Sequence, residues 1–373
     1  MRVVGVSVYA IDLPLRVPFR VAYGEWASMP SVVCAITTDT GLVGWGEGVP
    51  DPHVTGETPA SVLAMLVEDL APRLLGEDPR DLEAVEARVF SEVLGAPTAK
   101  AALEIGLSDL LARATDMPLC RLFGGRYAPE RELYYVVSLD GPAAMAREAA
   151  RAIHEVGHPG LKLKLGRGGP LLEAERLRAI REAVGDVPIR IDANQGWGTP
   201  AEAVGTIRRL EAFDPVWVEQ PVARADLAGL AEVRARVGVP IMADEAVRDA
   251  RELLEVIRLR AADLVNVKLM KCGGASKAAE LSRIAGAAGL GVQIGSMVES
   301  SIGSMAGAQV AAARPEIVSL ETSGPLLFLD DVGQSPIRGP RFTVPDAPGL
   351  GVAVERERVE RLARTVRHLG EPT

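Results

Sequence analysis

The sequence predicts an α/β fold, a barrel of parallel strands and crossover helices preceded by a smaller α+β unit. Three observations carry this. From about Glu132 onward, eight short runs rich in leucine or β-branched residues alternate with seven stretches of helical period, and eight strands close a barrel. Five successive runs place a charged side chain at matching parity near their ends. The first third has a different texture, strands and turns followed by helix.

The elements follow in order. VVGVSVYAI and SVVCAITTDTGLVGWGEG alternate as strands, and Asp39-Thr-Gly41 marks a hairpin turn in the second. Between them, residues 16–30 (RVPFRVAYGEWASMP) lack periodicity and read as a loop of the kind that carries binding groups. Residues 58–115 are helical in pattern, with Leu103, Leu107, Leu110 and Leu111 on one face. The eight runs are LYYVVSL, LKLKL, IRIDAN, VWVEQ, IMADE, LVNVKL, VQIGS and IVSLE. A flavodoxin-like or Rossmann sheet is the alternative, but no G-x-G-x-x-G opens a helix after the first strand. After Ser323 the chain is Pro/Gly-rich, ends in an expected helix VERERVERLARTV, and is expected to return to the N-terminal unit. The expected division is 1–128, 129–322 and 323–373.

With 373 residues, 48% hydrophobic and 24% charged, the chain has the make-up of a soluble protein. A net charge of -9 argues against nucleic acid and anionic membranes, which need a basic field, and for a small molecule as partner. Cys34, Cys120 and Cys272 are odd in number and scattered, which fits a reducing cytoplasm better than a disulfide framework or zinc site. MRVVGVSVYAI alternates like a strand instead of a secretory signal. No apolar run reaches the roughly 18 to 20 residues that span a bilayer.

GLKLKLG places Lys162 and Lys164 on one face of a strand, and in isolation that face reads as wet. Parity along the later runs changes the reading. Asp192 and Asn194 end IRIDAN, Glu219 ends VWVE, Asp244 ends IMAD and Lys268 ends LVNVK, at spacings of 28, 27, 25 and 24 residues from Lys164 onward. In a barrel the apolar alternates face the helices and these residues face the lumen, whose C-terminal mouth is where active sites are built.

Three carboxylates on adjacent strands repel unless a cation holds them, and all-oxygen ligation favours a hard ion such as Mg²⁺. The competing reading is a structural ion network with Arg190, Lys162, Lys164 and Lys268, which the desolvation penalty disfavours. Lys164 on the second strand and Lys268 on the sixth stand on opposite sides of a ring of eight. A substrate carboxylate bound to the cation would set its α-carbon between two amines, one to remove a proton and one to return it. A lysine base working near neutrality needs a pKa about three units below its usual 10.4, and Lys162 and the cation supply like charge in that direction.

With these residues the chain resembles the enolase superfamily, specifically the muconate lactonizing enzyme subgroup. The likeness rests on K-x-K at Lys162 and Lys164, D-x-N at Asp192 and Asn194, Glu219-Gln-Pro221, Asp244-Glu245, and Lys268 in NVKLMKCGG. It implies a (β/α)₇β modified TIM barrel with an α+β capping domain made from the N-terminal third and the C-terminal tail. It implies Mg²⁺, with Mn²⁺ as a substitute, on Asp192, Glu219 and Asp244. Lys164 and Lys268 would be the acid/base pair for abstraction of a proton α to a carboxylate, through an enediolate that the cation stabilises. Lys162 would help bind the carboxylate, Glu245 would lie behind Lys268, and a homo-oligomer is implied. The mandelate racemase branch places a histidine at the seventh strand end, where this chain reads VQIGSMVES. Enolase itself lacks the K-x-K pair.

NVKLMKCGG and VTGETPAS look like dipeptide epimerases, but Glu321-Thr-Ser323 stands where that group has D-x-D for the substrate ammonium. The expected activity is racemisation or epimerisation of an N-acyl amino acid, dipeptide or betaine. The alternative is a muconate-type cycloisomerase, which the run from Glu321 also resembles. Ser296 and Glu299 are placed to bind the distal part of a substrate; Glu299 and Glu321 have as their alternative a pairing with Arg20 or another loop arginine. Specificity is expected in residues 17–29 and 50–58, where Phe19, Tyr23 and Trp26 line the pocket or staple the loop. A Schiff-base aldolase using Lys268 and a non-catalytic binding barrel are further alternatives.

Overall fold

The computed structural model describes residues 1–371. The N-terminal sheet begins with β1 (Val3–Val21), β2 (Gly24–Thr38) and β3 (Val43–Gly48). The sheet is buried on both faces here, Val6, Val8, Val32, Cys34 and Ile36 entering one core and Val33 and Ala35 the other, and Gly41, in the left-handed region at φ 80°, turns β2 into β3.

The segment 16–30 is not a loop. β1 and β2 continue as a ribbon to Val21 and Gly24, with Phe19 opposite Trp26 and Arg20 opposite Glu25. The register shifts between Pro14 and Phe19, so extra residues on β1 bulge out. A bulge scrambles the period-two pattern, which is why alternation does not mark this part as strand.

Helix Pro97–Ala114 lies on β3 and is buried on nearly every side, Leu103, Leu107 and Leu110 fully so. Contact is close because Gly44, Gly46 and Gly48 carry no side chain; a Cβ on Gly46 would lie 1.8 Å from the Ala102 carbonyl oxygen.

After the short β4 (Glu130–Glu132) come eight strands: β5 (Tyr135–Val137), β6 (Leu161–Lys164), β7 (Ile189–Asp192), β8 (Val218–Glu219), β9 (Ile241–Ala243), β10 (Leu264–Val267), β11 (Gly291–Ile294) and β12 (Ile317–Leu320). They form one parallel sheet ordered β5 through β12. It curls on itself, since Lys162 on β6 reaches Glu321 beyond β12 at 2.8 Å and Arg190 on β7 donates to Ser319 on β12 at 2.7 Å. Amphipathic helices such as Pro200–Leu210, capped by Thr199 and Glu202, cover its outside.

Two buried acids tie the first unit to the barrel. Glu47 on β3 accepts from the Ser300 and Gly303 amides (2.9 Å each), at the start of helix Ser301–Ala313. Glu104 accepts from the amides of Ala275 and Ser276, which open helix Ala275–Ala287. Carboxylates at helix N-termini satisfy otherwise orphaned amides.

Beyond β12 the short β13 (Gly333–Gln334), β14 (Arg341–Thr343) and β15 (Ala353–Val354) make two small ribbons with each other and β4. The expected final helix is only Arg356–Leu362, after which β16 (Ala363–Gly370) pairs with β1. The open edge of β1 offers unpaired backbone groups, and that tertiary demand overrides local helical preference in ARTVRHLG.

Candidate active site

The charged residues singled out by parity meet at the C-terminal mouth of the barrel. Lys162 and Lys164 lie on β6, Asp192 and Glu219 end β7 and β8, Asp244 and Lys268 directly follow β9 and β10, and all six are buried. One carboxylate oxygen from each of Asp192, Glu219 and Asp244 lies within 4.8 Å of the others. Adjacent strand pairing produces this, since Lys164 is the register partner of Asp192 and Asp192 that of Glu219.

Four ammonium groups surround the triad. Lys164 Nζ lies 2.7 Å from Asp192 Oδ2, and Lys268 Nζ 2.7 Å from Asp244 Oδ2. Lys162 Nζ touches Glu321 at 2.8 Å, Glu219 at 2.9 Å and Asp192 at 3.3 Å. Lys271, which sequence reasoning missed, donates to Asp244 Oδ1 at 2.7 Å, to the Asn266 carbonyl at 2.9 Å and to the Asp244 carbonyl. Asn266, also missed, donates to Glu219 Oε1 at 2.7 Å. Gln220 fixes the β9 turn by accepting from the Asp244 and Ala246 amides. Lys271 carried one faint signal, a cation within an otherwise apolar helical turn three residues after Lys268.

Positive charge is nonetheless in short supply. Burial, and then repulsion from Asp192, pushes the Glu219 carboxyl up to about 8; burial, and then Asp244, pushes Glu245 up to about 7. Buried Glu219 Oε2 and Asp244 Oδ2 accept no well-directed hydrogen bond, although ammonium groups stand near them. An all-carboxylate donor set with excess negative charge fits a hard divalent cation.

With no cation among the carboxylates, Lys268 is held on the protonated side. Burial lowers its pKa, but Asp244 and Glu245 more than reverse the effect; for Lys162, Glu219, Glu321 and Asp192 do the same. Strand parity identifies Lys162 as like charge, but it does not say how many carboxylates will face each amine.

Lys164, Lys268, Asn194, Ser296 and Glu321 line a cavity of about 270 Å³. Phe19, Tyr23 and Trp26 from the β1–β2 ribbon close one side of it. They also pack together, Tyr23 edge-on to Trp26 with centroids 5.7 Å apart, and the Phe19 ring lies 6.0 Å from Lys164 Nζ. Glu245 meets Asn194 Nδ2 at 3.4 Å.

Glu299 does not line the cavity. It accepts from the Ser296 hydroxyl and from the Met297 amide at 2.7 Å, and so shapes the turn that presents Ser296. Arg20 pairs with Glu25 and Asp140, leaving Glu321 to Lys162.

Residues 3–124 match the mandelate racemase / muconate lactonizing enzyme N-terminal domain, and residues 144–358 match the enolase C-terminal domain-like family. The chain belongs to the enolase superfamily, in its muconate lactonizing enzyme subgroup. It is an isomerase of that superfamily.

Among its relatives is the N-succinyl-L-Arg/Lys racemase of Bacillus cereus, 40% identical over 363 residues, covering 97% of this chain and 98% of the relative. The crystal structure of that racemase superposes with a TM-score of 0.97 at 39% identity, over 99% of this chain and 100% of the other. The L-Ala-D/L-Glu epimerase of Bacillus subtilis is 38% identical over 357 residues, 94% of this chain and 97% of the relative. A dipeptide epimerase from Cytophaga hutchinsonii, crystallised with Mg and D-Ala-L-Val, has a TM-score of 0.94 at 31% identity, over 99% and 100% of the two chains. Among the described residues of this superfamily member, no helix is long and apolar enough to cross a membrane.

Proposed function

We propose that this protein racemises an N-acylated amino acid by passing the α-proton between two lysines. The observation that carries the reading is that Lys164 and Lys268, four strands apart, line one cavity, with Asp192, Glu219 and Asp244 on the strands between them. Opposed amines suit removal of a proton from one face of a carbon and delivery to the other.

Asp192, Glu219 and Asp244 would hold Mg²⁺, or Mn²⁺ in its place; bound there, the cation would supply positive charge to the substrate carboxylate and offset the acids that hold Lys268 protonated. Lys162, buried among Asp192, Glu219 and Glu321, orients that carboxylate. Glu245, which acts on Lys268 through its charge, tunes that lysine. The aromatics at 19, 23 and 26 exclude water. In this reading residues 1–128 and the described part of 323–373 form the cap over a barrel spanning 129–322.

The eighth strand favours an N-acyl group over a free amino terminus. Glu321 is already engaged by Lys162 and by Gln293 at 3.1 Å, and Ser323 carries no charge. A dipeptide ammonium would find a single carboxylate there, its charge already shared with Lys162. The relative named N-succinyl-L-Arg/Lys racemase supports the same choice.

The test is Mg²⁺-dependent incorporation of solvent deuterium at the α-carbon, followed by proton NMR across N-succinyl and N-acetyl amino acids, dipeptides, betaines and muconate. Exchange in the N-acyl set, lost when Lys164→Ala and Lys268→Ala are combined in one variant, is the expected result. Turnover of muconate alone, needing one lysine, would establish the cycloisomerase instead.

A further inference from the structure

Shortly after Asp192 the chain places two consecutive non-glycine residues in the left-handed region, Asn194 at φ 42° and Gln195 at φ 67°. Asparagine tolerates that region, but glutamine has no such preference, and strain of this kind persists only where the surroundings hold it. Here they do. The Gln195 amide donates to the Gln220 carbonyl at 2.8 Å and the Trp197 amide to the Pro221 carbonyl at 3.1 Å, which ties the loop after β7 to the one after β8.

The Gln195 side chain has two partners. Its Oε1 accepts from the Arg224 amide at 2.9 Å, and its Nε2 lies 3.2 Å from His53 Nε2, in the segment after β3. The first contact fixes the second. A backbone amide can only donate, so the carboxamide oxygen must face Arg224 and the NH₂ group must face His53. That NH₂ group can only donate as well, so the His53 nitrogen it meets is an acceptor and the ring is neutral, with its proton on Nδ1.

His53 in turn supports the cavity wall. Its ring stacks on Tyr23 with centroids 4.0 Å apart, the Tyr23 hydroxyl donates to Asp51 at 3.0 Å, and the Asp51 carboxylate accepts from the His53 amide at 2.7 Å. Tyr23, Trp26, Asp51 and Asn194 all line the cavity that holds Lys164 and Lys268.

We infer that Gln195 is a positioning residue: by donating to neutral His53 it seats residues 50–58 and the Tyr23 side of the pocket on the barrel mouth, and protonation of His53 releases the hold. An imidazolium has only N–H groups to offer, so the contact becomes two donors facing each other. Around the exposed ring stand Asp51 on its own segment and Tyr23 on the β1–β2 ribbon; the barrel side presents the uncharged Gln195 amide, with Arg224 engaged through its backbone. The inference goes beyond the racemase reading, since it concerns how the pocket closes on whichever carbon acid it takes.

Hydrogen exchange of the full chain with Mg²⁺, corrected for intrinsic rates, reads the hold without substrate. The Val54, Thr55 and Gly56 amides, which donate to the Asp51 carbonyl at 3.2, 2.8 and 3.1 Å, report on the segment. Their protection should fall about 3- to 10-fold between about pH 7.5 and about pH 5.5, as expected for the loss of one hydrogen bond. Gln195→Glu, whose carboxylate accepts from the imidazolium, should reverse the sign. His53→Gln, whose carboxamide oxygen accepts at every pH, should keep the protection and lose its pH dependence. Parallel profiles in the parent and both variants, or protection in Gln195→Glu that falls with acid as in the parent, would overturn the inference.

For any carbon acid that turns over, Gln195→Ala should raise KM about 3- to 10-fold and leave kcat within about twofold, because Lys164 and Lys268 belong to the barrel. An unchanged KM would equally overturn it. Failure of every N-acyl probe to exchange would sink the racemase reading and leave the protection result standing.

Discussion

Replacing Lys271 by methionine probes whether the buried lysine cage is part of the fold. Lys271 is about as buried as any residue in the chain, with 1% of its side chain exposed, and its ammonium is the nearer partner of Asp244 Oδ1. Methionine keeps the stem and removes the charge, leaving Asp244 to Lys268 alone and taking a donor from the Asn266 carbonyl. Breaking a buried pair by removing one partner costs about 3–5 kcal/mol, and because Lys268 still serves Asp244 the lower figure applies. At roughly 2.1 cal/mol/K of unfolding entropy per residue, about 3 kcal/mol lowers the melting temperature of a chain this long by ~4 °C. Calorimetry in EDTA measures the drop. Added Mg²⁺ should close part of the gap, since the variant site carries one more net negative charge. A melting temperature within about 1 °C of the parent in EDTA would mean that Lys271 is dispensable to the cage.

Other consequences are as direct. Saturating Mg²⁺, at about 100 times its Kd, should stabilise the parent by about 2.7 kcal/mol, and Asp192→Asn should abolish the shift; equal shifts in both would place the cation elsewhere. Gly46→Ala should fail to fold or lose at least about 3 kcal/mol, because its Cβ meets the Ala102 backbone rather than a movable side chain; a parent-like melting curve would contradict the packing described. Glu47 enters no ion pair among the described residues, and burial pushes its carboxyl up to about 7 against hydrogen bonds from Ser300, Gly303 and Ser31. Its folded pKa thus exceeds the unfolded value of about 4.3, so the folded state binds the extra proton and stability falls by about 3 kcal/mol as pH rises from 4 through 7. Glu47→Gln should lose less melting temperature than the parent between pH 5 and 8, and parallel profiles would count against this.

The barrel and its charged strand ends were legible because strand parity and βα spacing are local, and geometry then forces Lys164, Asp192, Glu219, Asp244 and Lys268 toward one lumen. Residues 16–30 were not, since the bulge between Pro14 and Phe19 removes the alternation that announces a strand. β16 was missed because its strand state depends on the edge of β1, more than 340 residues earlier. Lys271 acts through contacts that only the folded turn after β10 creates, and Asn266, within β10, through a contact to Glu219 on β8. The balance of charge on Lys268 without a cation was not legible either: spacing says which acids are near, while their summed field on a buried amine needs the three-dimensional arrangement.

If Lys164 and Lys268 serve opposite faces of one carbon, each should govern a single enantiomer. The deciding measurement follows α-proton exchange in deuterium oxide from each enantiomer of N-succinyl-lysine with Lys164→Ala and Lys268→Ala. Each variant should keep exchange of one enantiomer only, with the two variants keeping opposite ones. Exchange of both enantiomers at the parent rate in either variant, or loss of the same enantiomer in both, would contradict the two-lysine arrangement.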